Sequence, residues 1–327
     1  MKIIFYDTQK YDKEHFDEVN KKYNYEIHYL EAHLNAHTAS LSKGYDVVCA
    51  FVNDTLDKKV LTALKGCGIR LIALRSAGYN NVDLNTAKAL KIPVVRVPAY
   101  SPEAVAEAAA AMLLTLDRKL QHAYVRTREF NFSLNGLVGF NLYGKTAGVI
   151  GTGKIGRAFI RIAQGFGMSV IAYDPYPAKL DGVEYVSPEE LFKRSDIISL
   201  HCPLTDENRH IIRKETISEM KDGVIIINTS RGGLIDSEDL LEALKSHKIG
   251  GAALDVYEEE SGIFFEDQSE EGIADDNLAR LISMPNVLIT GHQAFLTHEA
   301  LDAISTVTLE NIKAFESGKE VINEVLA

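Results

Sequence analysis

The run Gly151-Thr152-Gly153-Lys154-Ile155-Gly156 constrains this chain more than any other stretch. It follows a β-rich segment, Thr146–Ile150, and opens a helix through Ala163, so it reads as a strand-to-helix turn. Glycines there let the backbone turn tightly and approach a pyrophosphate, whose charge then rests against free N–H groups at the helix N-terminus. A glycine motif alone is weak evidence, but the second half of the pattern is present. Eighteen residues after Gly156 the strand Val170–Tyr173 ends at Asp174, where a carboxylate can accept both hydroxyls of an adenosine ribose. A 2′-phosphate would be repelled by Asp174, and Pro175 and Tyr176 follow it in place of a base, so NAD is expected and not NADP.

The rest of the chain repeats the same rhythm. Lys2–Tyr6, Val47–Val52, Leu71–Arg75 and Pro93–Val97 read as strands, with helices such as Thr55–Leu64 and Asn85–Leu90 between them. A second series starts at Thr146 and includes Val170–Tyr173, Ile197–Leu200, Val224–Asn228, Ala252–Val256 and Val287–Thr290. Alternating β and α segments imply parallel sheets with helices on both faces. The expected fold is α/β, with two Rossmann-like or flavodoxin-like parallel-sheet domains and a cleft between them. Residues 1–100 plus 297–327 would form a substrate domain and 101–296 an NAD-binding domain. Helices at Pro102–Leu120 and about His298–Glu316 are expected to link them, with the C-terminus returning to the first. A length of 327 residues suits two cores better than one.

Composition excludes several classes. Hydrophobic residues make up 46% and charged residues 25%, which argues against disorder and fibrous structure. The longest apolar segment, Val105 to Leu116, contains Glu107 and is short of the ~20 residues that cross a bilayer. The opening Lys2-Ile3-Ile4-Phe5-Tyr6-Asp7 reaches a carboxylate too early for a signal peptide. Cys49, Cys67 and Cys202 are too dispersed for a disulfide framework or a zinc site, which fits a cytoplasmic location. A net charge of −11 without a basic cluster argues against nucleic acid. No metal and no membrane partner is expected. The acidic stretch Glu258–Asp276 reads as a solvated loop.

Three successive strand ends carry the chemistry. Arg231 follows Val224–Ile227, carboxylates including Glu260 follow Asp255, and His292 follows the strand at Val287–Thr290. Ligands of open parallel sheets bind outside the carboxyl ends of strands, so all three face a crevice. Reducing a 2-oxo acid needs this set: a cation for the carboxylate, a proton donor for the carbonyl oxygen, and an acid that keeps the donor protonated. A single loop arginine is more often a surface ion pair, and a single strand-end histidine more often structural; the combination is what points to catalysis.

These residues carry a resemblance. The chain resembles the D-isomer-specific 2-hydroxyacid dehydrogenases, and within them the fermentative branch, over essentially its whole length. The matching stretches are Arg75–Asp83, Val97–Glu103, the glycine loop, His201–Thr205, Asn228–Gly233, Asp255–Glu260 and Gly291–Thr297. The resemblance implies NADH-dependent, reversible reduction of pyruvate to D-lactate. It implies that Arg231 binds and polarises the substrate, that His292 is the general acid, and that Glu260 is hydrogen-bonded to His292. Asp255 would lie near the nicotinamide. Further cofactor contacts would come from His201, Cys202, Pro203, Asn208, Thr229 and Ser230. Ala77 and Gly78 would hold the substrate carboxylate through their backbone, Tyr100 would reach the substrate, and Phe51 and Phe295 would wall a small pocket. Glu258 and Glu259 are adjacent decoys for Glu260, which is chosen by its five-residue distance from Asp255. Ser261 and Gly291 stand where many relatives have proline, as in the D-lactate branch. A homodimer or homotetramer is implied, with Tyr124–Tyr143 as the dimerisation arm or else an exposed loop over the protein's own core. Two other readings stay open: a sibling acting on a bulkier 2-oxo acid, and an NAD-sensing corepressor-like protein.

Overall fold

The computed structural model describes residues 1–326; residue 327, the last of the expected first domain, lies outside them. The chain separates into two compact units, Met1–Ser101 with the segment from Leu296 onward, and Pro102–Phe295. No described helix is long and apolar enough to cross a membrane.

In the first unit, β1 (Lys2–Phe5), β2 (Glu26–Tyr29), β3 (Val47–Ala50), β4 (Leu71–Leu74) and β5 (Val94–Val95) form one sheet. Its order is β2-β1-β3-β4-β5, with every pairing parallel. The central strands VVCA and LIAL are buried along their whole length, as parallel strands covered on both faces must be. Helix His298–Glu316 packs on β4 and on helix Lys10–Asn20, starting where the Thr297 hydroxyl accepts from Ala300 N–H. The chain end stays in this unit, since Val325 N–H donates to Val94 O at 2.8 Å.

The second unit holds β6 (Thr146–Ile150), β7 (Ser169–Tyr173), β8 (Val183–Tyr185), β9 (Ile197–Leu200), β10 (Val224–Asn228), β11 (Ile249–Leu254) and β12 (Val287–Ile289). They form a parallel sheet in the order β12-β11-β10-β9-β6-β7-β8. The order reverses between β6 and β9, which opens a crevice at their carboxyl ends. Helix Pro102–Asp117 packs closely on helix Lys154–Gly165, because Ala106, Ala109 and Ala110 present almost no side chain at the contact.

Three features differ from the sequence expectation. The helix expected to reach Leu120 stops at Asp117, whose carboxylate turns to accept Phe140 N–H at 2.8 Å, and Lys119 at φ 52° starts a new helix, Leu120–Arg128. Strands β2 and β8 were not foreseen; both are short, half-exposed edge strands without a long apolar run. Helix Lys10–Asn20 was also missed, since its buried apolar face is only Phe16 and Val19.

Candidate active site

The glycine loop follows β6 directly. Gly151 adopts φ 93°, and a Cβ there would lie 2.6 Å from His201 O, so the loop after β9 presses against it. A Cβ on Gly156 would lie 2.0 Å from Gly151 O, so the first turn of helix Lys154–Gly165 can close on the loop only as glycine. Gly153 caps that helix and has nothing within 4 Å of its missing Cβ, leaving the helix N-terminus open to a phosphate. Lys154 is exposed and Ile155 half-buried in the first turn.

Asp174 ends β7 and is tied to the loop. Its Oδ2 accepts from Thr152 N–H at 2.7 Å and from the Thr152 hydroxyl at 2.9 Å, and its Oδ1 from Tyr176 N–H at 2.8 Å. Partial burial opposes its ionisation, but these hydrogen bonds and nearby Arg157 outweigh that and hold the carboxyl below its ordinary range. Tyr185, which sequence reasoning did not single out, donates to the Thr152 hydroxyl from 3.0 Å. Pro175 is exposed beside them.

The loop after β9 carries the remaining cofactor candidates. His201 Nε2 meets the Ser199 hydroxyl at 2.8 Å and its ring lies 5.1 Å from Phe159; burial pushes its pKa down to about 3, so the ring is neutral. Asn208 is a brace: its amide donates to Pro203 O at 2.7 Å and toward Cys202 Sγ, while its Oδ1 accepts Thr205 N–H. The Ser230 hydroxyl donates to Cys202 O, linking this loop to the one after β10. His201 Nδ1 and the Thr229 hydroxyl are buried without a hydrogen-bond partner. Two orphaned polar atoms, an open helix N-terminus and a carboxylate at the end of β7 fit a dinucleotide.

Arg231 follows β10. Its Nη1 donates to Ser230 O at 2.7 Å, and among the described residues no carboxylate pairs with it. Asn228 Nδ2 donates to Arg231 O and Asn228 Oδ1 accepts from Ser230 N–H, so a buried side chain shapes the turn.

Glu260 and His292 are together. His292 Nδ1 lies 3.0 Å from Glu260 Oε1, and Glu260 Oε2 accepts Tyr257 N–H at 2.9 Å. A carboxylate at Nδ1 fixes the tautomer and leaves Nε2 for a reacting atom. His292 sits at φ 56°, a left-handed conformation uncommon for a non-glycine residue, which the surrounding turn must hold. Asp255, at the end of β11, does so: Oδ1 accepts from Thr290 Oγ1 and from Gln293 N–H at 2.8 Å, and Oδ2 from Ala294 N–H at 2.8 Å. Burial pushes the Asp255 carboxyl up, against the pull of those bonds and of His292. The Phe265 ring lies 5.6 Å from that of His292. The acidic stretch is thus not a wholly solvated loop: Glu258 and Glu260 turn inward because Arg209, His210 and His292 offer them partners.

The remaining candidates lie in the first unit, except Phe295, which is buried in the second. Phe51 ends β3; its N–H donates to Asp54 Oδ2 at 2.7 Å, its O accepts Asn81 Nδ2, and Arg75 lies over its ring at 4.3 Å. Ala77 and Gly78 follow β4, with Ala77 O accepting from Arg96 and Gly78 O from the Ser76 hydroxyl. Tyr100 is half-buried.

Residues 110–294 match the family model described as D-isomer specific 2-hydroxyacid dehydrogenase, NAD binding domain. The chain belongs to the D-isomer specific 2-hydroxyacid dehydrogenases, a family of oxidoreductases, and its cofactor is NAD. Over 329 aligned residues it is 54% identical to the D-lactate dehydrogenase of Escherichia coli (strain K12), covering 100% of both chains. The apo-structure of the Escherichia coli D-lactate dehydrogenase superposes with a TM-score of 0.92, at 51% identity and 100% coverage of both. A structure described as the pyruvate reductase of Chlamydomonas reinhardtii gives 0.94 at 44% identity, covering 99% of this chain and 98% of that one.

Proposed function

We propose that the chain catalyses the reversible, NADH-dependent reduction of pyruvate to D-lactate. The observation that carries this reading is the His292–Glu260 pair, 3.0 Å apart, on the sheet edge where Arg231 has no carboxylate partner among the described residues. Similarity along the whole length to a D-lactate dehydrogenase supports the substrate and the D product.

Arg231 grips the 2-oxo acid and draws electron density toward the C2 oxygen. His292 then delivers a proton from Nε2 to that oxygen, while Glu260 accepts the Nδ1 hydrogen bond and stabilises the charged imidazole. Bound NADH supplies the hydride that C2 receives. Gly151, Gly153 and Gly156 would receive the pyrophosphate and Asp174 the adenosine ribose, and the same ligand would meet the orphaned His201 and Thr229 atoms. Residues 101–296 serve as the NAD-binding domain, and residues 1–100 plus 297–327 as the substrate domain. Ala77 and Gly78 are proposed to hold the substrate carboxylate through their backbone, and Tyr100, Phe51 and Phe295 are proposed as further substrate contacts.

The same reading includes a homodimer. Phe130, Phe132, Leu134, Val138 and Tyr143 are each more than 70% exposed, an apolar stretch that a second copy would cover. A homotetramer would pair two such dimers, and sedimentation at micromolar concentration separates the two. Three free thiols support a reducing compartment, the cytosol.

The test is NADH oxidation with pyruvate, 2-oxobutyrate, phenylpyruvate, hydroxypyruvate and oxaloacetate in parallel, followed by the chirality of the product. Preference for pyruvate with a D product is expected. Arg231→Gln should raise KM and lower kcat together, since both carboxylate and developing oxyanion lose a partner. An unchanged kcat/KM would remove Arg231 from the site.

A further inference from the structure

Glu258 stands two residues before Glu260, and its side chain is only 14% exposed. Its Oε1 accepts from His210 Nε2 at 2.7 Å and from Arg209 Nη2, both on the loop that also carries Cys202, Pro203 and Asn208. His210 is itself held on the Arg231 loop, since its N–H donates to Gly233 O at 2.9 Å and its Nδ1 lies 3.5 Å from Asp236 Oδ2. It adopts φ 53°, a left-handed conformation uncommon for a non-glycine residue. Gly232 closes the third side. A Cβ there would lie 2.1 Å from Tyr257 C and 2.4 Å from Glu258 N, so the Arg231 turn packs directly on the backbone that bears Glu258.

We propose that Glu258 is a positioning residue that ties the loops after β9, β10 and β11 into one unit, setting cofactor loop, Arg231 and Glu260 in register. The assignment rests on the functional reading above. Beyond the sheet the loops after β9 and β10 still share a short bridge at Ile212 and Ile235, but the loop after β11 has no part in that bridge. A half-buried carboxylate shared by an arginine and a histidine supplies charge-assisted bonds that bring that third loop in.

The experiment is Glu258→Gln in the full-length protein. NADH affinity is read by fluorescence without substrate, and kcat and pyruvate KM at saturating NADH. Because one side chain indexes both loops, NADH Kd and pyruvate KM are expected to rise together, each by about tenfold, as misplacement of positioned groups commonly does. His210→Gln should move both constants in the same direction. A purely structural role would lower the thermal midpoint or the fraction of active enzyme and leave both constants at wild-type values, and that result overturns the proposal. Should Glu258→Gln fail to fold, Arg209→Gln, at a 53% exposed side chain, removes one of the two ties and should show the same paired rise at smaller size. Failure of the functional reading looks different: Arg231→Gln would keep full activity, while the Glu258 effect on NADH binding would still be measurable.

Discussion

Asp255→Asn isolates how the turn that presents His292 is held. The carboxylate accepts three hydrogen bonds, two on Oδ1 from Thr290 and Gln293 and one on Oδ2 from Ala294. An asparagine can keep its carbonyl at the Oδ1 position and retain the first two, now without charge assistance. Its amide then faces Ala294 N–H, donor against donor, and that buried N–H is left unsatisfied. Losing one charge-assisted bond costs about 1.5–3 kcal/mol. Relief of the burial penalty that raises the Asp255 pKa offsets part of this, so the net loss should be about 1–2 kcal/mol. In the unit Pro102–Phe295 that corresponds to a thermal midpoint lower by roughly 2–8 °C. With the turn loosened, the left-handed His292 can relax away from Glu260, and kcat should fall by about tenfold or more. Urea titration and steady-state kinetics on the same preparation read both effects. Thr290→Val, which removes one bond to the same charged carboxylate, should cost a comparable amount, about 1.5–3 kcal/mol. An Asn variant with wild-type midpoint and wild-type kcat would refute the argument that Asp255 holds the His292 turn.

Two further outcomes follow from the geometry. Gly156→Ala would place a methyl 2.0 Å from Gly151 O, more than 1 Å inside an ordinary contact of about 3.4 Å, so the helix must retreat from the loop. NADH affinity should drop by at least about tenfold, and retention of wild-type affinity in a fluorescence titration would contradict the close-approach argument. Burial pushes the Asp54 carboxyl up to about 6, against the opposing pull of Arg75 and of Phe51 and Leu34 N–H groups. Because an unfolded Asp titrates near 3.9, the folded chain holds the extra proton, and this group's stabilisation is full below about pH 4 and lost as pH rises through about 6. The stability difference between wild type and Asp54→Asn should therefore move against the wild type by about 2–3 kcal/mol between pH 4 and pH 7 in urea titrations. A difference that stays flat with pH would assign the titration elsewhere.

Much of this architecture is legible in residues close together along the chain. Thr297 three residues before Ala300, a proline opening Pro102–Asp117, and glycines at 151, 153 and 156 each act through neighbours, and their elements lie where those signals put them. Strands such as β3 and β4, apolar throughout, announce a sheet covered on both faces. Arg231, Glu260 and His292 are readable for a related reason: each sits just past a strand, and strand ends of a parallel sheet face one edge. The break at Lys119, the edge strands β2 and β8, and the partners of Asp255, Glu258 and Thr152 are not readable in that way. Asp255 meets Thr290 from 35 positions away and Glu258 meets His210 from 48, so no periodicity links them. Turn chemistry and hydrophobic period are energies shared among adjacent residues and survive in the linear order. Which buried carboxylate ends against which N–H group depends on how the strands stack, and that exists only once the chain has folded.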